Sequence, residues 1–222
     1  MDARLAYPLV CFDVDGTLVD DTIFIWQTLH DHFATDPAAR RRAHDDFFAK
    51  RITYADWFYR DLELLSEAGA TEARIREVLD LLRPIPGARE ALLDLHARGH
   101  VLAIVSGSLD IVVDHLFADV PFAHVLVNRI AFDAGGRIAG GTPTPYDLEG
   151  KADGLAELCR REGIEPSRAA FVGDNSNDVW IAKAAGLAIA FNCKSDDLRA
   201  ACRIEVREKD LRAVARAIRD AG

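Results

Sequence analysis

The sequence predicts an α/β protein in which helices cover both faces of a parallel sheet, three layers in all, with a small all-helical segment inserted after the first strand. Three observations carry that expectation. From Ala88 onward, short apolar runs alternate with stretches of helical period, the pattern of a parallel sheet built from strand–helix–strand units. The runs Leu9 to Phe12, Val101 to Val105, Ala169 to Val172 and Leu187 to Phe191 are continuously apolar, as in strands buried on both faces. Between the first of them and Arg83-Pro84-Ile85-Pro86-Gly87 only helical period is found, and the prolines close that block because proline cannot continue a helix.

In chain order, Leu9 to Phe12 is the opening strand. Asp21 to Phe33 then sets Phe24, Ile25, Leu29 and Phe33 on one side at helical spacing, and Asp36-Pro37 reads as an N-cap with proline at the first helical position of a helix reaching about Lys50. Tyr54 to Leu65, with Trp57, Phe58, Leu62 and Leu65, and Thr71 to Leu82, with Ile75, Val78, Leu79 and Leu82, complete the helical segment. A helix from Ala88 to Ala97 stops at Gly99, the strand Val101 to Val105 follows, and Leu109 to Phe117 is the next helix. Val125 to Val127 is a strand, and Phe132 to Ile138 carries the turn residues of a hairpin. Lys151 to Arg161 and Asp178 to Ala185 are helices that flank the strand Ala169 to Val172, and Leu187 to Phe191 is a further strand. Ser195-Asp196-Asp197 gives the next helix a cap and first-turn acids. Ile204 to Val206 and an amphipathic helix from Leu211 end the pattern. The expected division is a core of residues 1–19 and 84–222 with a helical cap of residues 20–83.

Half of the 222 residues are apolar, enough for a substantial core. The 27 basic and 36 acidic residues leave a net charge of −9, which argues against general binding to nucleic acid or to anionic membrane. Cys11, Cys159, Cys193 and Cys202 form neither a CxxC pair nor a disulfide-like framework, and the histidines lack metal-ligand spacing. Neither a signal peptide nor a membrane-length apolar run is read, so a cytoplasmic protein is expected. The oligomeric state is not legible.

The chemistry collects where strands end. Leu9 to Phe12 runs into Asp13-Val14-Asp15-Gly16-Thr17, and residues two apart on a strand share a face at roughly 6.5 Å. Two carboxylates so close need a cation, a proton or a substrate to offset their repulsion; taken alone, the stretch serves equally well as a solvated turn. Val101 to Val105 ends in Ser106-Gly107-Ser108, Ala169 to Val172 ends in Gly173-Asp174-Asn175-Ser176-Asn177-Asp178, and Lys151 opens the helix before that strand. In open α/β sheets the ligand crevice lies at the carboxyl ends of the strands. The combined set suits Mg²⁺ with a phosphate: carboxylates for the ion, and Lys151, the Ser106 hydroxyl and free amides for the remaining oxygens.

These pieces, in this order, resemble the four motifs of the haloacid dehalogenase-like hydrolase superfamily, a Rossmann-like fold, and are especially similar to its phosphoserine phosphatase-like branch. The similarity runs from Leu9 to about Lys194 through FDVDGTLV, PIPGARE, IVSGSLDI, VGDNSNDV and AGLAIAFNCK. It implies an Mg²⁺-dependent phosphatase acting on a small phosphorylated metabolite. Asp13 would be the nucleophile that becomes an aspartyl phosphate, and Asp15 the acid and base for leaving group and water. Ser106, Gly107, Lys151 and Asn177 would bind the phosphoryl group. The metal would be held by Asp13, Asp174 and the backbone carbonyl of Asp15, with Asp178 supporting that shell.

Phosphoserine phosphatases also carry a glutamate shortly after the first motif, where ungapped counting puts Thr22, and a cap arginine to which Arg60, beside Asp61, is nearest. Phosphoserine is thus one candidate and another small phosphomonoester an equal one. A phosphotransferase or mutase using the same aspartyl phosphate, and a non-catalytic sensor, are the alternatives. Away from the motifs the bland readings hold: Ser108 as a helix cap, Arg40-Arg41-Arg42 as a wet helix face, and Trp57, Phe58 and Tyr59 as cap core.

Overall fold

The LVCF run of β1 (Leu9–Phe12) has no exposed face, and all four residues are buried. A strand of this kind belongs in the middle of a parallel sheet. In the computed structural model, which describes residues 5–222, β1 pairs in parallel with β2 (Val101–Leu109) on one side and β5 (Ala169–Gly173) on the other. With β3 (His124–Phe132), β4 (Ile138–Thr142), β6 (Leu187–Phe191) and β7 (Ile204–Val206) they form one seven-stranded sheet, ordered β4-β3-β2-β1-β5-β6-β7. Among the described strands of the sheet, only the β3–β4 pair is antiparallel. The strand order reverses at β1, which places a crevice beyond its carboxyl end, at Asp13.

The two-residue period of β1 divides the core. Val10 and Phe12 join the cluster made with α5 (Ala88–Ala97), α6 (Asp110–Leu116) and α10 (Leu211–Asp220). Leu9 and Cys11 join the one made with α7 (Lys151–Glu162), α8 (Val179–Ala184) and α9 (Asp196–Ala201). The result is the three-layer α/β arrangement that the alternating pattern predicts.

Four helices intervene between β1 and α5: α1 (Ile25–His32), α2 (Pro37–Phe48), α3 (Tyr54–Glu67) and α4 (Glu72–Leu79). Asp36 caps α2 through the Ala38 N–H, with Pro37 at the first position, and Thr53 with Asp56 forms a capping box on α3. Chain entry and exit lie side by side, with Asp20 N–H donating to Arg83 O and Ile85 N–H to Leu18 O, both at 2.8 Å. Leu29, Leu62, Leu65 and Ile75 belong to the same buried cluster as Val10 and Phe12.

Several boundaries differ from the expectation for local reasons. α1 starts at Ile25 rather than Asp21, because residues after Asp15 are consumed by a turn in which Gly16 has φ +78° and Leu18 N–H returns to Val14 O. Gly16 is required twice over, by its left-handed φ and because a Cβ there would collide with Asp174 Oδ2. β2 continues through Ser106-Gly107-Ser108 to Leu109, and β3 extends beyond Val127 to Phe132, since backbone pairing with β4 carries it past the end of the apolar run. α4 ends at Leu79, three residues early, and Leu81 is exposed. No described helix is long and apolar enough to cross a membrane.

Candidate active site

β1 delivers Asp13 into the crevice, its N–H still bonded to Val172 O of β5 at 3.0 Å. From the start of α7 the side chain of Lys151, fully buried, donates from Nζ to Asp13 Oδ1 and to Asp178 Oδ1, each at 2.6 Å. Burial works against this ammonium, yet the charges of Asp13, Asp178 and Asp147 hold its pKa well above the ordinary lysine value. Lys151 is therefore a permanent cation between two carboxylates.

Asp178 comes from a 3-10 turn, Ser176–Asp178, after β5, and its Oδ2 accepts from the N–H groups of Asp174 and Asn175. Carboxylate oxygens of Asp13, Asp174 and Asp178 lie within 4.8 Å of one another. Asp174 Oδ2 accepts from Lys194 Nζ at 2.8 Å, and burial followed by the Asp13 charge pushes its pKa up to about 7. An all-oxygen donor set with that much crowded acid fits a hard divalent cation.

Asp15 is held differently. Its Oδ2 accepts from the Ile25 N–H at the start of α1 (2.8 Å) and its Oδ1 from Ser108 Oγ (3.0 Å). Burial, and then Asp13, push its pKa up to about 7. Ser108 thus corrects the helix-cap expectation: α6 has Leu109 at its N-cap and no side-chain cap, while the Ser108 hydroxyl faces the acid. Ser106, also buried, accepts the Ser108 N–H on its Oγ at 3.2 Å.

Asp13, Asp15, Ser106, Gly107, Asp174 and Asn177 line the floor of a cavity of about 510 Å³. Gly107 packs where a Cβ would collide with Asp147, and its carbonyl accepts from Trp26 Nε1 and Asn128 Nδ2. Tyr54 Oη donates to Asp147 Oδ2 at 3.0 Å, linking α3 to the floor.

The two residues proposed for substrate reading fall elsewhere. Thr22 is buried with its hydroxyl turned onto Asp20 O at 3.1 Å and does not line the cavity. Arg60 is half-exposed and paired with Asp46 at 2.9 Å, on the outer side of α3. One residue along a helix is a turn of about 100°, so Asp61 faces inward where Arg60 faces out. The cavity roof is made instead by α1, α2 and α3: Trp26, His30, Arg40, Arg41, Trp57, Phe58 and Asp61 among others. Of the Arg40-Arg41-Arg42 run, Arg41 and Arg42 are exposed as the wet-face reading has it, while Arg40 is half-buried and, with Arg41, borders the cavity; Trp57 and Phe58 line it and Tyr59 is exposed. A signal for Asp61 was present: it sits on the buried stripe Phe58, Asp61, Leu62, Leu65 of α3, an acid at an apolar position.

The chain is similar to known proteins along most of its length. The haloacid dehalogenase-like hydrolase family model matches residues 10–183, and a second haloacid dehalogenase-like hydrolase model matches 149–218. The phosphoserine phosphatase of Methanocaldococcus jannaschii is 26% identical over 221 residues, covering 95% of this chain and 97% of that protein. That of Streptomyces coelicolor is 31% identical over 196 residues, 86% of this chain but 45% of the longer protein, so the chain spans about half of that relative. A phosphoserine phosphatase solved in its apo form superimposes with a TM-score of 0.69 at 26% identity, covering 95% of this chain and 98% of that one. The chain belongs to the haloacid dehalogenase-like hydrolases, in their phosphoserine phosphatase-like branch.

Proposed function

We infer that this phosphoric monoester hydrolase cleaves a small phosphomonoester through a phosphorylated Asp13, with Mg²⁺ as cofactor. The observation that carries the reading is Lys151, buried and bonded at once to Asp13 and Asp178 beside Asp174 at the cavity floor. A lysine with no solvent access, matched to two carboxylates, is costly to build for stability alone. It is well placed to hold charge where a phosphoryl group would enter.

In this reading an Asp13 carboxylate oxygen attacks phosphorus, a new O–P bond forms, and the ester P–O bond breaks. Protonated Asp15 gives its proton to the departing alkoxide. A pKa near 7 leaves a large protonated fraction at neutral pH, and the Ile25 N–H and Ser108 hydroxyl fix the carboxyl's orientation. The resulting Asp15 carboxylate then takes a proton from the water that attacks the phosphoryl-aspartate, which restores Asp13 and releases phosphate. Ser106 Oγ and Lys151 Nζ hold phosphoryl oxygens, with Gly107 and Asn177 alongside. Asp13 and Asp174, with the Asp15 carbonyl, would hold Mg²⁺, with Asp178 supporting them through Lys151 and the Asp174 amide; the ion when bound offsets the charge of the carboxylates and phosphoryl oxygens.

Residues 20–83 would serve as a lid that excludes water and reads the leaving group. The curated relatives are named for phosphoserine, but Thr22 and Arg60 do not face the cavity, so this chain reads its alcohol with other residues. The test is phosphate release from p-nitrophenyl phosphate by purified protein with Mg²⁺. Turnover is expected in the wild type; its absence there, or its persistence in Asp13→Asn, would overturn the reading.

A further inference from the structure

The roof of the cavity holds polar groups that the hydrolytic chemistry leaves unused. Asp61 is only 4% exposed, lines the cavity, and its Oδ1 has no hydrogen-bond partner among the described residues. A buried carboxylate without a donor is expensive. His30 Nε2, likewise buried and cavity-lining, stands 3.3 Å from it at ion-pair distance, the two atoms being out of hydrogen-bond alignment. The other ring nitrogen, Nδ1, is engaged with Thr35 Oγ1 at 2.8 Å. When Nδ1 carries the proton, Nε2 and the carboxylate are two acceptors side by side, and both ask for a donor from the cavity.

The surroundings specify what that donor is. Trp26, Tyr54, Trp57 and Phe58 line the same cavity, and aromatic faces attract cations. The other charged groups at this end are Asp31, Arg40, Arg41 and His44. Arg40 is tied to Gln27 Oε1 and feels the charges of Asp61 and Asp31, but among the described residues no contact ion pair joins it or Arg41 to Asp61. An ammonium, with three N–H donors, satisfies Asp61 and His30 together.

Building on the hydrolase reading, we propose that Asp61, with His30, is the specificity-determining site for the leaving group, and that the substrates are phosphate esters of amino alcohols whose cationic nitrogen seats there. Length follows from α1. Ile25, whose N–H holds Asp15, precedes His30 by five residues, about 7.5 Å along the helix axis, and helical side chains lean back toward the N-terminus. Esters of two to four carbons sample that spacing.

The test compares kcat/KM of the Mg²⁺-loaded enzyme for aminoalkyl, alkyl and carboxyalkyl phosphates of matched length, from two to four carbons. The aminoalkyl ester should be favoured over the alkyl ester by roughly tenfold or more, the scale of a hydrogen bond to a charged group, and Asp61→Asn should bring that ratio close to one. A ratio near one in the wild type, preference for the carboxyalkyl ester, or an unchanged ratio in Asp61→Asn would overturn the proposal. Should Asp61→Asn fail to fold by circular dichroism, the ratio in His30→Gln replaces it, with the same expected fall. Should the wild type release phosphate from no ester, p-nitrophenyl phosphate included, the hydrolase reading fails by itself. Calorimetric binding of free 3-aminopropanol then decides: binding that weakens tenfold in Asp61→Asn sustains the cation site, and no binding to the wild type removes it.

Discussion

The floor and the roof of the cavity are built on opposite principles. On the floor the acids are satisfied within the protein: Asp13 by Lys151, Asp15 by Ile25 N–H and Ser108, Asp174 by Lys194, Asp178 by Lys151 and two backbone amides. On the roof, His30 Nε2, Trp57 Nε1 and Asp61 Oδ1 are buried with no partner. A group whose bonds are complete is preorganised for a reaction that never changes. One whose bonds are incomplete is completed by whatever enters, so in the proposed function the reaction belongs to the floor and the choice of alcohol to the roof.

The sharpest way to break that division is to remove the floor's proposed nucleophile, Asp13. Asp13→Asn keeps size and shape, and turnover on every ester, charged or neutral, should fall by about 10³-fold or more. Steady-state phosphate release checks it; loss confined to one class of alcohol would mean that Asp13 reads the substrate rather than attacks it.

Lys151→Met tests whether the floor is bound together by charge. It leaves Asp13 and Asp178 buried without their shared cation, and a broken buried pair costs about 3–5 kcal/mol. The urea midpoint should fall accordingly. Arg60→Ala, which removes only a surface pair with Asp46, should shift stability by less than about 1 kcal/mol.

The floor was legible because its residues follow local punctuation. Asp13, Asp15, Ser106, Asp174 and Asp178 each stand where an apolar run gives way to small or polar residues, and a strand end fixes position to within a residue. Lys151, alone a surface lysine by its position, was legible only through its place in the four-motif order of the family resemblance, and its complete burial was not. The roof was not legible, because membership of the cavity depends on how three helices are rotated, and a helix gives each successive residue a different side. Arg60 and Asp61 differ by one position and by the whole thickness of α3. Ser108 went unread for another reason: the strand runs through it to Leu109, so its hydroxyl crosses to Asp15 instead of capping α6.

Metal addition sharpens the comparison from the other direction. An ion that binds the folded protein alone stabilises it by about 2.7 kcal/mol at a hundred times its dissociation constant. Mg²⁺ should therefore raise the melting temperature of the wild type. In Asp174→Asn, which removes one of the three clustered carboxylates, most of that rise should vanish. Asp61→Asn, in the roof, should keep it, because Asp61 is not among those acids.

The smallest expected effect on turnover concerns the one hydroxyl that the strand places against Asp15. Ser108→Ala deletes a 3.0 Å bond to Oδ1 and leaves the Ile25 N–H on Oδ2. A bond of this kind is worth about 1–2 kcal/mol, so kcat/KM should fall by about five- to thirtyfold on all esters alike. Ser108→Thr, which retains the hydroxyl, should recover most of the loss. Because Ser108 belongs to the floor, the preference between aminoalkyl and alkyl phosphates should not move. A change in that preference would mean that Asp15 is positioned by the alcohol it protonates, and floor and roof would then act as one site.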